Sequence, residues 1–393
     1  RLIQVICFLG KQELAFRGHY ESNQSENKGN YLEILDMLAQ EEQFVREKLE
    51  SLSGFKGTSS EIQNELIECA TLIVKATIQK EIDLAEFVSV QADETLDISC
   101  KSQMSIIFRY CVNDSVQERF IGFFDVSKDK TAEGLSTVIL NVLKESKVDK
   151  KLICQTYDGA SVMAGSHGGV NAIIKQQCPN AMFIHYAHRL NLVLLYGAKT
   201  IKKVRLFIYD LTAFHTYFSK SSKRSALLRE AGFKLPQAST TRWNYHSRAT
   251  ATITAHFQEL RRAMSHIIDN DEDWDGDSYN GAVGLLRRLE DPTFIFLLCL
   301  YQKVFVYIDH LYNVLQTKCT SNISICNHEV KLAITNVKSL RNQETVEECM
   351  KDAKALNNQA GSGSFKALKL LAFEIIDTIV IQMESRFEDI NTH

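Results

Sequence analysis

Two aspartates in this sequence stand where apolar, strand-like runs end. Asp93 follows the run Phe87-Val-Ser-Val-Gln-Ala, and Asp158 follows the run Lys151-Leu-Ile-Cys-Gln-Thr-Tyr. If both runs are strands of one sheet, the two carboxylates lie at one edge of that sheet. Carboxylate oxygens are preferred ligands of Mg²⁺, and divalent ions held in this way catalyse phosphoryl transfer. The pattern therefore predicts a metal site with Asp93 and Asp158 as ligands.

The elements that must position these acids have the pattern of a mixed α/β core. After the run that ends at Asp93, β-rich runs cover 102–112 and 119–126, with the polar link 113–117 between them suited to a hairpin. A helical pattern follows at 131–146, then a strand at 152–157, a short helix at 172–177, a short strand at 182–185 and a helix from 189. The order β-β-β-α-β-α-β-α predicts a mixed five-stranded sheet with helices on both faces, whose fourth strand is parallel to the first.

Helical patterns dominate the sequence on both sides of this core. Only three prolines occur among 393 residues, which favours long helices. We predict a helical N-terminal segment over 1–85, the α/β core over 86–200 and an all-helical domain over 201–393. The individual helices are expected at 1–19, 31–52, 61–84, 202–217, 249–268, 281–290, 293–316, 328–340, 343–355 and 365–386.

The composition narrows the classes of function. The net charge of −3 gives no support for nucleic-acid binding by overall charge, so any such surface must be a local patch. The ten cysteines include no CxxC pair and are expected to be free thiols in a reducing compartment. The most apolar window, 294–308, is interrupted by Gln302 and Lys303 and predicts no membrane span. The chain begins at Arg1 in mid-pattern, as a fragment of a longer protein would.

Further motifs accompany the two acids, and together they resemble the hAT superfamily of transposases. The nearest group is the domesticated, transposase-derived proteins that carry TTF-type, MYM-type or THAP zinc fingers. The resemblance covers most of the chain and is strongest up to residue 248. The motifs are Asp93-Glu-Thr-Leu-Asp-Ile-Ser, Gly122-Phe-Phe-Asp-Val, Thr131-Ala-Glu-Gly-Leu, Tyr157-Asp-Gly-Ala-Ser-Val-Met-Ala-Gly, His188-Arg-Leu-Asn-Leu and Thr241-Arg-Trp-Asn.

The resemblance implies an RNase H-like core with an Asp-Asp-Glu triad, interrupted by an all-helical insertion. Asp93 and Asp158 match the first two acids, Mg²⁺ would be the cofactor, and DNA in the nucleus the partner. His188 matches a histidine near the site. Arg242 and Trp243 match the family's Arg-Trp pair, whose tryptophan stacks near a flipped base. A core tryptophan that anchors the helical domain is an equally weighted interpretation of Trp243.

Two departures from the family pattern limit what the resemblance implies. The family's Cys-x-x-His is His185-x-x-His188 here, and two histidines alone make an incomplete metal site. The third acid, a glutamate in the C-terminal dimerisation region, has no counterpart; Glu384-Ser-Arg-Phe387 is only superficially similar. We therefore expect little or no strand transfer, and self-association only with the missing C-terminal region.

The sequence is also compatible with two other classes of function. A non-catalytic scaffold for protein partners in transcription regulation fits the missing acid and the near-neutral charge. An active metal-dependent transposase or nuclease would need more acids near the site, and only Glu94 and Asp97 are available; Asp97 is expected to cap a turn. Short basic runs could follow a phosphate backbone, although such runs are usually solvated helix faces. They lie at 202–205, 220–224, 261–262 and 287–288.

Overall fold

The computed structural model describes the chain except residues 23, 52–55, 159, 166–167, 185, 239–242, 317–322, 359–363 and 389–393, and the side chains at 161, 186–188, 194, 243–244 and 323. The chain divides into two compact units, Arg1–Ile184 and His185–His393. The three-part division at residues 85 and 200 stays a prediction.

The first unit is organised around a mixed sheet of five strands in the order β3-β2-β1-β4-β5. The strands β1, β2 and β3 pair antiparallel, and β4 and β5 are added parallel to β1. The mixed five-stranded sheet and the parallel fourth strand predicted from the sequence are confirmed. The strands are β1 Val88–Leu96, β2 Ser102–Val112, β3 Ser115–Asp125, β4 Leu152–Thr156 and β5 Met182–Phe183.

Alternating side chains explain which face of the sheet carries the core. In β2 every second residue is buried, including Met104, Ile106 and Phe108, while the residues between them are half-exposed. Ile139 and Ile174 of the helices pack on the buried face, in the same apolar cluster. A strand with one buried face shows this period of two. The helices after β3 are α5 Ala132–Glu145, α6 Ser161–Ala164 and α7 Val170–Gln177.

The connection between β2 and β3 is tighter than the sequence predicts. Asn113 and Asp114 both have positive φ, 51° and 57°, and β3 already begins at Ser115. Asn and Asp tolerate this left-handed conformation, which two-residue hairpin turns require. The predicted five-residue link over 113–117 is therefore wrong, because the two turn residues alone reverse the chain.

Four helices precede the sheet: α1 Leu2–Lys11, α2 Asn30–Glu41, α3 Gln43–Glu50 and α4 Ser60–Leu84. The helix predicted over 1–19 ends early because Glu13 takes φ 55°, a left-handed helix stop. The helix predicted over 31–52 breaks at Glu42, whose backbone is extended. A small apolar cluster holds the first helices together, with Val5, Leu9, Tyr31 and Leu35 buried.

The second unit is entirely helical over its described residues. The helix α14, Pro292–Gln316, is long and apolar enough to cross a membrane by length and composition. The window 294–308, on which the prediction of no membrane span is based, covers only part of this helix. Its apolar residues are mostly buried within the unit, however, as in the core helix of a soluble protein. The helices are α8 Tyr186–Thr200, α9 Lys202–Ser219, α10 Ser222–Glu230, α11 Trp243–Ala255, α12 Phe257–Asp269, α13 Gly276–Glu290, α14 Pro292–Gln316, α15 Ile323–Ser339, α16 Gln343–Leu356 and α17 Phe365–Arg386.

Two helix predictions fail here for tertiary reasons. The helix predicted over 249–268 is interrupted at His256, whose ring stacks on Phe233 with centroids 4.1 Å apart. The helix α10 is not predicted, because its polar sequence has a single buried residue, Leu228, and so lacks an apolar period.

Candidate metal-binding site at the ends of two parallel strands

The pairing of β1 with β4 brings the two predicted acids to the same end of the sheet. Gln91 of β1 is in register with Thr156 of β4. Asp93 and Asp158 each lie two residues beyond this last parallel pair. Asp158 follows the end of β4, as predicted, but Asp93 lies inside β1, which continues to Leu96 through its pairing with β2. The prediction that Asp93 ends its strand is therefore wrong, because β1 pairs with β2 beyond the point where its pairing with β4 stops. Both side chains are exposed. Because side chains alternate along extended chain, both acids belong to the face opposite the apolar core.

A buried tyrosine fixes the position of the chain just before Asp158. Tyr157 is 3% exposed, and its ring packs beside Phe183 of β5 at 5.9 Å between centroids. Burial raises the pKa of the Tyr157 hydroxyl far above its ordinary value. With Tyr157 held in the core, the next residue faces outward, and the Asp158 carboxylate accepts the Ala160 N–H at 3.2 Å. Asp158 therefore follows the end of β4 with an exposed side chain.

Two other acids near this edge are engaged by protein partners. Glu94 forms an ion pair with Lys130 at 2.8 Å. Asp97 lies in the turn after β1, where its carboxylate accepts the Lys101 N–H at 2.7 Å and the Ser99 hydroxyl at 2.8 Å. These hydrogen bonds lower the pKa of Asp97, and the bond from the Lys101 N–H has the largest effect. The prediction that Asp97 caps a turn is confirmed.

A third nearby acid, Asp125 at the end of β3, is engaged in the same way. Its carboxylate accepts the Ser127 N–H at 2.8 Å, and this bond lowers the pKa of Asp125. A carboxylate that already accepts protein hydrogen bonds is a poorer ligand for an added cation, because those bonds must be lost or shared. Asp125 therefore adds no obvious third ligand.

Asp93 differs from these neighbours. Its carboxylate has no hydrogen bond or ion pair among the described residues, while its main-chain oxygen accepts the Ser105 hydroxyl of β2 at 3.1 Å. The backbone is therefore fixed while the side chain remains available. Of the acids at this edge, Asp93 and Asp158 are the two least engaged by the protein itself.

The other predicted site residues lie wholly or partly outside the described part of the chain. His185 and Arg242 are not described at all. His188 lies in the first turn of α8 and Trp243 begins α11, but neither side chain is described. Their assigned roles stay predictions.

Glu384 is the remaining acid that could complete a triad. It lies near the end of α17, inside a helix as expected from the sequence, and lines a cleft of about 520 Å³ with Lys331 and Glu388. This cleft belongs to the second unit. Across the residues that the structure describes, no group of three or more His, Cys, Asp or Glu is arranged to hold a metal ion.

The basic runs differ in how far their charges are already paired. Arg261 lies 4.0 Å from Glu290, and Arg288 lies 3.3 Å from Asp210, so these guanidinium groups face acids within the unit. By contrast, the run at 202–205, at the start of α9, has three exposed basic side chains. A phosphate backbone would find its strongest local attraction there.

The acidic stretch over 271–277, which begins like an EF-hand loop but has Ala282 at the position of the final carboxylate, contains a helix cap. Asp275 precedes α13, and its carboxylate accepts the Ser278 N–H at 2.7 Å as a helix N-cap, which lowers the pKa of Asp275.

The mixed five-stranded sheet with its helices is consistent with an RNase-like α/β core, in which Asp93 lies inside β1 and Asp158 just after the neighbouring parallel strand β4. Residues 1–169 match the family model for the ZMYM1/FAM200 RNase-like domain, DUF4371. The match spans α1 to α6 and includes both Asp93 and Asp158. This match supports the interpretation of the chain as a transposase-derived protein with an RNase-like domain, which is the more general part of the resemblance noted in the sequence.

Three features near the two acids were not predicted from the sequence: the Lys130–Glu94 ion pair, the Ser105 hydroxyl and the buried Tyr157. The two polar contacts join residues that are distant in the sequence, so no local pattern reveals them. Tyr157 could have been found, because it lies two residues after the buried Gln155, and alternation along an extended chain places both on one face.

Proposed function

We propose that this chain is the core of a domesticated or decayed hAT-type transposase, associated with DNA or chromatin in the nucleus and without strand-transfer activity. The observation that carries the proposal is the register of β1 and β4, because Asp93 and Asp158 each follow the last pair, Gln91 with Thr156, by two residues. The zinc-finger group and the separate dimerisation region belong to the same proposal.

The donor set at this edge fits one divalent cation. Both carboxylates are exposed, and within the described part of the chain that of Asp93 has no partner and that of Asp158 accepts a backbone hydrogen bond from Ala160. Such a pair suits Mg²⁺, which keeps most of its waters and takes few protein ligands. Bound Mg²⁺ would supply Lewis-acid activation at a phosphate. Asp93 and Asp158 would hold it, and Tyr157 and Ser105 would fix the two strand ends from which these carboxylates project.

In-line phosphoryl transfer normally uses a second ion, clamped by a further acid. The neighbouring acids Glu94, Asp97 and Asp125 are held by Lys130, the β1–β2 turn and Ser127. We therefore expect weak binding of one cation and no cleavage or joining of DNA. A non-catalytic interaction scaffold is the second candidate, and the apolar surface described below supports it.

Cation binding tests the site directly. Titration of the chain with Mn²⁺, followed by the paramagnetic resonance of free Mn²⁺, should show about one site that is weakened at least about tenfold in Asp93→Asn and in Asp158→Asn. Asp114→Asn is the matched control, because it removes the same charge at the opposite end of the sheet. Equal affinity in all four proteins would refute the site.

Activity separates the candidate functions. Supercoiled plasmid incubated with the chain in Mg²⁺ or Mn²⁺ should remain intact, while binding to duplex DNA should fall steeply between about 50 and 200 mM salt. Metal-dependent nicking that is lost in Asp158→Asn would establish the active enzyme instead. Loss of the same nicking in Glu384→Gln would identify Glu384 as the third acid. Absence of any DNA binding would favour the scaffold.

A further inference from the structure

The helix α4 joins the two apolar clusters of the first unit. Near its start, Leu66 and Ile67 pack on the cluster of the N-terminal helices. Near its end, Ile78 and Ile82 pack on the core of the sheet. Both ends are therefore held by tertiary contacts, and the position of the helix does not depend on its middle.

Both ends of α4 are also capped. The Ser59 hydroxyl accepts the Ile62 N–H at 3.3 Å, and the Lys151 ammonium donates to the carbonyls of Ile82, Asp83 and Ala85 at 2.8 to 3.0 Å. These contacts satisfy main-chain groups that a helix leaves without partners at its ends. The helix α4 is therefore held at both ends by packing and by capping hydrogen bonds.

The middle of α4 is apolar and exposed to solvent. Leu72, Ile73 and Val74 are 60%, 69% and 57% exposed, and every residue from Thr71 to Thr77 is exposed. Lys75 carries the only charge between Cys69 and Gln79. A helix segment with this composition is normally buried, and a continuous exposed apolar surface on a folded protein marks an interaction site.

The apolar residues form a seam on the side of α4 that faces away from its own unit. Cys69, Leu72, Ile73 and Ala76 follow the spacing i, i+3, i+4, i+7 and so lie along one stripe. Ile67, Ile78 and Ile82, which contact the two clusters, lie on the opposite side of the helix. Leu66, which also contacts the first cluster, lies at the edge of the seam near its N-terminal end, so the open part of the seam begins at Cys69. A second helix can therefore approach this seam, and the small side chains of Cys69 and Ala76 permit close contact.

The charges beside the seam indicate what that second helix is. Glu65 precedes the seam and Lys80 follows it, both on the same stripe. We propose that the seam binds the α4 helix of a second copy of this chain, antiparallel, about a two-fold axis between Leu72 and Ile73. That pairing sets Glu65 of each copy opposite Lys80 of the other. A parallel pair would set Glu65 against Glu65 and Lys80 against Lys80, which is unfavourable.

This proposal does not depend on the metal site. It differs from the expectation that self-association requires a C-terminal dimerisation region, because the seam lies in the N-terminal half of the chain. The antiparallel pairing also makes a specific geometric demand: Cys69 of one copy lies opposite Ala76 of the other, while the two Cys69 residues lie about two helical turns apart along the seam.

Sedimentation velocity at loading concentrations from about 1 to about 200 µM should show a monomer–dimer equilibrium. Ile73→Glu should weaken dimerisation at least about tenfold, and its side chain is already exposed, so the monomer should stay folded. Glu65→Lys alone and Lys80→Glu alone should each weaken dimerisation, and the double variant should restore it. Met37→Glu, on the exposed face of α2, is the matched control and should not change dimerisation.

Cross-linking tests the direction of the pair. Under mild oxidation, Ala76→Cys should give a disulfide-linked dimer, and the addition of Cys69→Ser should abolish it. A chain that stays monomeric over the whole concentration range overturns the proposal. So does a dimer that is unaffected by Ile73→Glu, or a cross-link in Ala76→Cys that survives Cys69→Ser.

Discussion

Acidification should destabilise the helical unit through one buried histidine. His246 in α11 is 4% exposed, and its Nδ1 has no hydrogen-bond partner among the described residues. Burial lowers the pKa of His246 from 6.5 to about 4. The folded state therefore keeps the ring neutral in a pH range where the unfolded chain binds a proton.

The sign and size of the effect follow from this difference. Above about pH 6.5 both states are neutral at His246 and the stability is complete; it falls as the pH drops from 6.5 towards 4, and then levels off. At about 1.4 kcal/mol for each pH unit, the difference between 6.5 and about 4 corresponds to a loss of about 3 kcal/mol in the free energy of unfolding.

Urea unfolding followed by tryptophan fluorescence measures this loss. Both tryptophans, Trp243 and Trp274, lie in the second unit, so their emission reports on that unit. The comparison is between the wild-type chain and His246→Gln, whose side chain does not titrate. Other ionisable groups contribute equally to both proteins, so the difference between their unfolding free energies should change by about 3 kcal/mol from pH 7 to pH 4.

The control is Thr250→Val, one helical turn from His246. It alters a second buried side chain, whose hydroxyl has no hydrogen-bond partner within the described part of the second unit, but it introduces no titratable group, so its effect should not depend on pH. The reasoning would be refuted if the difference in unfolding free energy between the wild-type chain and His246→Gln stayed constant within about 0.5 kcal/mol from pH 7 to pH 4. That result would mean that the buried ring binds a proton as easily as in the unfolded chain.

Two substitutions in the first unit, with one control in the second, complete the predictions. Their urea titrations are followed by circular dichroism, because both tryptophans lie in the second unit. Tyr157→Phe should raise the free energy of unfolding by about 1 kcal/mol in urea titrations, because the buried hydroxyl has no partner among the described residues; a clear loss of stability would show that it does have one. Gly29→Ala should lower the free energy of unfolding by at least about 1 kcal/mol, because φ is 91° and an added Cβ would overlap the backbone of Arg17 and Gly18. Gly284→Ala is the control: Gly284 lies in α13 with open space around it, so this variant should have unchanged or higher stability in the same assay.

The strands of the core were predictable because each carries its pattern locally. The residues of β2 alternate between buried and half-exposed from Ser102 to Tyr110, and β4 begins with a short apolar run. Helix ends were harder, since the stops at Glu13, Glu42 and His256 depend on backbone conformation and on contacts made elsewhere. The apolar period of a helix continues through such breaks and does not reveal them.

For the candidate site, the sequence by itself supplied Asp93 and Asp158, because an acid that ends an apolar run is visible in the residues alone. Only the folded chain shows that β1 and β4 are parallel neighbours whose last pair precedes each acid by two residues. Only the contacts of Glu94, Asp97 and Asp125 show which neighbouring carboxylates are already engaged.

The same division holds for α4. Its period predicts a helix, but periodicity cannot tell an apolar stripe that packs on the protein's own core from one that faces solvent. That distinction depends on where the ends of the helix are anchored, which is a property of the folded chain and not of the local sequence.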